Sequence, residues 1–153
     1  METRPSPIVK TVELVMPQDA NNHGTMFGGR LLELLDKCAA ITAFRFCGQQ
    51  VVTASFESID FHEPIQLADT VELNGRIIYT GRTSLVIRVD VYHQKGNGPL
   101  NLSNTAYTVF VAVDDKGRPT PVPQLEVRTD EEKKAWEYGK ALKDNISKRL
   151  KHK

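Results

Sequence analysis

The sequence predicts an α+β domain in which one long helix lies against one curved, mostly antiparallel sheet. Three observations carry this. A helical apolar pattern runs from the glycine pair Gly28-Gly29 to about Phe46. One alternating run precedes it and four follow. The turns between the later runs are short, which makes successive strands antiparallel neighbours.

A proline-flanked leader, Met1 to Pro7, comes first. Ile8 to Met16 alternates around β-branched residues and reads as a strand that Pro17 ends. The loop that follows, Asp19-Ala20-Asn21-Asn22-His23-Gly24-Thr25-Met26-Phe27-Gly28-Gly29, is polar and glycine-rich and runs straight into the helix. Two residues without Cβ at the helix start let a ligand come close to the backbone. The first helical N–H groups lack partners inside the helix, and the dipole there favours negative charge. A carbonyl oxygen turning into an oxyanion suits that position.

Leu31, Leu34, Leu35, Cys38, Ile41 and Thr42 lie on one helical face, and Leu32, Ala39 and Ala43 widen the apolar arc. Most of the helix should therefore be wrapped by other structure. At ~100° per residue, Asp36 projects at the margin of that arc. Two readings fit it: an ordinary exposed or lysine-paired carboxylate, or a carboxylate with a chemical task.

Cys47-Gly48-Gln49-Gln50 reads as a helix cap and turn. Val51 to Phe61 alternates as a strand closed by Pro64. Thr70 to Tyr79 and Leu85 to His93 are two more, joined through Thr80-Gly81-Arg82-Thr83-Ser84. A loop with Gly96-Asn97-Gly98-Pro99 leads to a last strand, roughly Ser103 to Val113, which Asp114 to Pro119 stops. A single sheet around one helix leaves edge strands, which a dimer joining edges would cover.

The tail differs in character. Pro119, Pro121 and Pro123 make a stiff linker. Thr129 and Glu132 form a capping box, with acids in the first turn and Lys148, Arg149, Lys151 and Lys153 near the end. The apolar stripe, Ala135, Trp136, Leu142, Ile146 and Leu150, is thin. It suits a surface helix packed loosely on the domain or a neighbouring subunit; the other reading is a basic end that assists an anionic ligand.

Composition sets the bounds. The chain has 153 residues, enough for one domain with a sizeable core, and a net charge of +1, which gives no bulk attraction for nucleic acid. No run approaches the ~18 apolar residues of a membrane span, and the leader lacks a signal peptide's apolar core. Cys38 and Cys47 fall on one helix ~13 Å apart at 1.5 Å per residue, too far to bridge. Free thiols without a signal point to the cytoplasm. His23, His62 and His93 have no metal-ligand spacing, and Ser55 and Ser58 lack a nucleophile elbow. The glycine pair is neither a dinucleotide fingerprint nor a phosphate loop. Arg82-Thr83-Ser84 reads equally as a phosphate holder or a solvated turn.

Together these residues resemble the hotdog-fold acyl-CoA thioesterases. The resemblance rests on Asp19-Ala20-Asn21, Gly24, Phe27-Gly28-Gly29, Asp36, Phe56-Glu57-Ser58-Ile59-Asp60-Phe61 ending at Pro64, and Gly81-Arg82-Thr83-Ser84. It is to the acyl-CoA hydrolase group that includes the brain and brown-fat enzymes of animals and short bacterial relatives. It spans roughly 8–123, leaving 124–153 as a tail helix outside it.

The resemblance implies a sausage-like helix wrapped by an antiparallel sheet, paired into dimers and commonly assembled as a trimer of dimers. It implies acyl-CoA as substrate, hydrolysed without metal or organic cofactor, at sites shared between subunits. Asp36 matches the family's acid and Asn21 its asparagine, donated by the opposite subunit. The Gly29 N–H would face the thioester oxygen, and Arg82, Thr83 and Ser84 would contact CoA. His62-Glu63-Pro64 departs from relatives that often carry a basic residue before the proline. Asp36 would act as general base or as nucleophile, and the sequence leaves both open. Two other classes stand beside hydrolysis. One is a non-catalytic acyl-CoA-sensing module; the other is a hotdog dehydratase, for which His23 is the nearby histidine.

Overall fold

Strands β1 (Thr3–Arg4) and β2 (Ile8–Leu14) precede helix α1 (Gly28–Cys47), and strands β3 (Val51–Phe61), β4 (Thr70–Thr80), β5 (Ser84–Gln94) and β6 (Asn101–Ala112) follow it. A short strand β7 (Gln124–Leu125) and helix α2 (Asp130–Lys151) complete the chain. The computed structural model describes residues 2–151, except for the side chains at 58–61, 150 and 151. The expected roles of Leu150, Lys151 and Lys153, and the side chains of Ser58, Ile59, Asp60 and Phe61, therefore lie outside the described residues.

The five long strands form one sheet in the order β2-β4-β5-β6-β3, antiparallel throughout. Helix α1 lies along one face of it, which is the hotdog arrangement. Leu31, Leu34, Leu35, Cys38, Ala39 and Phe46 bury against Val9, Val71, Leu73, Leu85, Ile87 and Val89. Helix and sheet meet most closely at Gly75 of β4, where an added Cβ would come within 2.4 Å of Thr42 Oγ1 and 3.2 Å of Cys38 Sγ. Gly48 ends α1 in the left-handed conformation at φ +65°, with its N–H on the Phe44 carbonyl.

The helix is less enclosed than its apolar arc suggests. Leu32 and Ile41 are each 37% exposed and Phe44 is 57% exposed, because one sheet covers only one side of a helix. These residues and Val52, Phe56 and Phe27 leave apolar surface open on the subunit. Strands β2 and β3 are the sheet edges.

The tail packs more tightly than its thin stripe suggests. Ile146 joins Ile78, Val86 and Val109 in a second cluster on the sheet's outer face, with Tyr79, Ala135 and Leu142 around it. The Trp136 ring meets Tyr79 edge-on, with centroids 4.9 Å apart. Thr129 and Glu132 close the capping box through bonds of 3.0 and 3.1 Å. Near the far end, Arg149 donates to the Glu57 carboxylate of β3.

The proline linker is knitted to the sheet as well. Val122 is fully buried and donates to the Arg82 carbonyl, and Leu125 donates to Thr80 Oγ1 at 3.0 Å. Strand β7 pairs in parallel with β1, which brings Arg4 Nη1 within 2.8 Å of the Phe46 carbonyl. A cation there suits the negative end of α1.

Candidate active site

The loop before α1 is a built structure, and Asp19 is its anchor. This buried carboxylate accepts the Met16 N–H at 3.0 Å and pairs with Arg30 Nε at 3.0 Å. Desolvation pulls the Arg30 pKa down, but the Glu33 and Asp19 carboxylates outweigh it and leave the guanidinium raised. Asn21 organises the tip. Its Oδ1 accepts N–H groups from His23 and Thr25 at 2.9 and 3.2 Å, and its Nδ2 donates to Thr25 Oγ1 at 2.9 Å. An amide nitrogen has two hydrogens, and among the described residues the second has no acceptor.

Helix α1 starts bare. Phe27 precedes it without a side-chain cap, and the first intrahelical bond runs from the Leu31 N–H to the Phe27 carbonyl at 3.1 Å. The N–H groups of Gly28, Gly29 and Arg30 therefore lie ahead of the helical ladder. A Cβ on Gly28 or Gly29 would meet nothing within 4 Å, in contrast to Gly75, so the subunit's own packing does not demand glycine there. A cavity of about 320 Å³ opens beside this helix head, lined by Thr25, Gly28, Leu31, Glu63, Pro64 and others.

Asp36 lies further along α1, half-buried. Thr53 Oγ1 of β3 donates to its Oδ1 at 2.8 Å. Among the described residues no lysine pairs with Asp36; Lys37 pairs instead with Glu33 at 3.7 Å. Strand β3 carries a register slip between Thr53 and Ser55, a kind of irregularity that re-aims side chains at active sites. Thr53 escaped the sequence reading, because a hydroxyl partner on a different element leaves no mark in local spacing.

Within one chain the expected site residues do not converge. No hydrogen bond of the described residues joins Asn21 to Asp36. The Gly81-Arg82-Thr83-Ser84 turn sits where β4 ends and β5 begins, beside the end of β6 and the C-terminus of α1. Gly28 and Gly29 lie at the opposite end of the sheet, near Ile65 and Asn104. Ser84 is buried, whereas Arg82 is exposed. Among the described residues no three of His, Cys, Asp and Glu converge as metal ligands.

The sequence pattern of the Thioesterase superfamily matches residues 23–99. A Bacillus subtilis protein named as an uncharacterized acyl-CoA thioester hydrolase is 41% identical over 128 residues, covering 83% of this chain and 74% of that protein. The chain belongs to the thioesterase superfamily.

This thioesterase is also 36% identical over 132 residues to the cytosolic acyl coenzyme A thioester hydrolase of Rattus norvegicus, covering 84% of this chain but only 35% of the rat protein. Among solved structures, an apo-hexameric acyl-CoA thioesterase superposes with a TM-score of 0.91 at 38% identity, covering 98% of each chain. The acyl-CoA hydrolase of Staphylococcus aureus, solved with butyryl coenzyme A and coenzyme A, gives a TM-score of 0.87 at 35% identity, covering 95% of the thioesterase and 89% of that chain. That enzyme has also been solved with single alanine substitutions at an asparagine, an aspartate and a threonine, spaced fifteen and seventeen residues apart. Asn21, Asp36 and Thr53 of the thioesterase stand at the same intervals.

Proposed function

We propose that this thioesterase hydrolyses acyl-CoA to a free acid and CoA, with Asp36 as the reacting carboxylate. The observation that carries this reading is the Asp36 carboxylate itself. It is half-buried and steadied through one oxygen by Thr53, and its other oxygen is left for chemistry. The matching intervals of Asn21, Asp36 and Thr53 support the same assignment.

Water adds to the thioester carbonyl as its proton passes to Asp36 Oδ2. The C–S bond then breaks, and the thiolate leaves as CoA and takes up the proton. The same oxygen serves the alternative route: it attacks the carbonyl, the C–S bond breaks to expel CoA thiolate, and water then opens the resulting anhydride to the free acid and the Asp36 carboxylate, releasing the proton that CoA takes up. The Gly29 N–H, at the bare head of α1, receives the oxyanion. Asn21 orients water or the carbonyl through its amide, and it does so from the second subunit of a dimer.

Assembly follows from the same reading. The open edge of β3 and the apolar surface around Phe56 and Val52 suit a second copy, and the similar acyl-CoA thioesterase of known structure is hexameric. Arg82, at the far end of its own subunit, then reaches CoA across the boundary. The buried free thiols of Cys38 and Cys47 and the cytosolic rat relative support a cytoplasmic setting.

The test is release of free thiol from acyl-CoAs of several chain lengths. The wild-type protein is expected to release it, and Asp36→Asn to keep its fold and oligomer while losing turnover. Full turnover by Asp36→Asn removes Asp36 from the chemistry. Tight acyl-CoA binding with no thiol release from the wild type makes the protein a sensing module instead.

A further inference from the structure

The corner His62-Glu63-Pro64 faces the cavity at the head of α1 and places a carboxylate there. Glu63 is the one acidic residue among the described residues that line this cavity, and Gly28 lines it too. That is an awkward neighbour. Helix N–H groups ahead of the ladder attract the nearest anion, and a glutamate swinging onto them would occupy the place meant for an oxyanion. The Glu63 side chain is 56% exposed, so packing alone does not hold it.

One contact does hold it. His93 Nε2 lies 3.1 Å from Glu63 Oε2. His93 is itself only 7% exposed, and its Nδ1 meets the fully buried hydroxyl of Ser103. The Ser103 carbonyl in turn accepts the His62 N–H at 3.0 Å. The ring is thus fixed from behind by β6 while it grips the corner in front. A serine hydroxyl that gives its hydrogen to Nδ1 leaves Nε2–H to donate to the carboxylate, so a neutral imidazole satisfies both bonds. Two cations near this end are committed elsewhere: Lys95 to Gln66 and to Asp69 Oδ1 at 3.2 Å, and Arg30 to Asp19 and Glu33.

We infer that His93 is a positioning residue that restrains the Glu63 carboxylate and so keeps it off the free N–H groups at the head of α1, the proposed oxyanion donor of Gly29 among them. The inference rests on acyl-CoA hydrolysis at this helix head, as proposed above.

The experiment compares free-thiol release by the wild type, His93→Leu, His93→Gln and the double variant His93→Leu with Glu63→Gln. His93→Leu removes the donor, and kcat is expected to fall about tenfold, with a smaller loss at high salt, where a charge–dipole contact is screened. His93→Gln keeps an amide N–H near the Nε2 position and should retain most of the turnover. The double variant removes the loose charge and should recover most of what His93→Leu lost. A merely structural histidine would not be rescued at Glu63. The inference is overturned if His93→Leu turns over like the wild type, or if the double variant is no better than the single one.

A second measurement covers the case in which His93→Leu fails to fold. Nitrogen NMR of the wild-type ring must show a hydrogen on Nε2; the tautomer with hydrogen on Nδ1 alone overturns the restraint. A wild type without thiol release defeats the hydrolase reading and this inference with it. An active wild type with unresponsive variants defeats this inference alone.

Discussion

The Thr53 hydroxyl donates to the Asp36 carboxylate at 2.8 Å, and that bond ties helix α1 to strand β3. It fixes one carboxylate oxygen, and the proposed chemistry uses the other. Replacing Thr53 with valine keeps the shape and removes the bond. Hydrogen bonds to charged groups contribute about 1.5–3 kcal/mol, and ~1.4 kcal/mol is tenfold, so kcat should fall roughly ten- to a hundredfold. Steady-state turnover and a thermal melt check this: activity drops by that factor, while the melting temperature falls by only several degrees and the protein stays folded at the assay temperature.

The oxyanion donor proposed at Gly29 belongs to the backbone, so only proline deletes it. Proline is tolerated in the first turn of a helix, because the N–H it removes has no helical acceptor. Gly29→Pro should fold and should lose roughly 10²- to 10³-fold in kcat. Circular dichroism beside a turnover assay separates this from unfolding.

Arg82 is exposed at the end of the sheet remote from the helix head. Arg82→Ala should raise the apparent KM for CoA esters and leave short thioesters without a nucleotide almost unchanged. Equal losses on both would remove the CoA contact from that turn.

Gly139 lets α2 lie on the sheet. An added Cβ would stand 2.7 Å from Tyr79 Cβ and 3.2 Å from two Ile78 side-chain atoms. Alanine is ordinarily the better helix former by about 1 kcal/mol, but overpacking of this kind costs about 1–3 kcal/mol. Gly139→Ala should therefore lower stability in a urea titration, and protease should cut the tail sooner.

Burial pushes the Cys38 and Cys47 thiols up. The folded state then holds protons that the unfolded chain gives up near pH ~8.5. This contribution is complete below that pH and is lost as pH rises through the folded values. Burial raises Tyr79 and Tyr107 as well, which extends the loss above about pH 10. Urea midpoints should fall between pH 8 and pH 10.5, and neither thiol should react with a disulfide reagent until the chain unfolds.

Local pattern carried most of the fold. Helix α1 was legible from Gly28 to its glycine cap, the four later strands from their alternation, and the α2 start from Thr129 and Glu132. Strands β1 and β7 were not, since two residues have no period. Leu32 and Ile41 looked internal because an apolar arc does not say how many of its sides are covered. Of the candidate site, local pattern offers residue types but not their partners. Thr53 meets Asp36, and His93 meets Glu63, through contacts between distant elements that no spacing rule reports.

Strand β3 has a hydrogen-bonded neighbour along only one of its two sides in the described chain, and Thr53 sits on it. An unsatisfied rim of this kind is adhesive, and here the adhesive ribbon also steadies the acid. In the dimer proposed above, gathering copies together and tuning the carboxylate would be a single event. Specific activity should decline on dilution, at the concentration where the ribbon loses its mate.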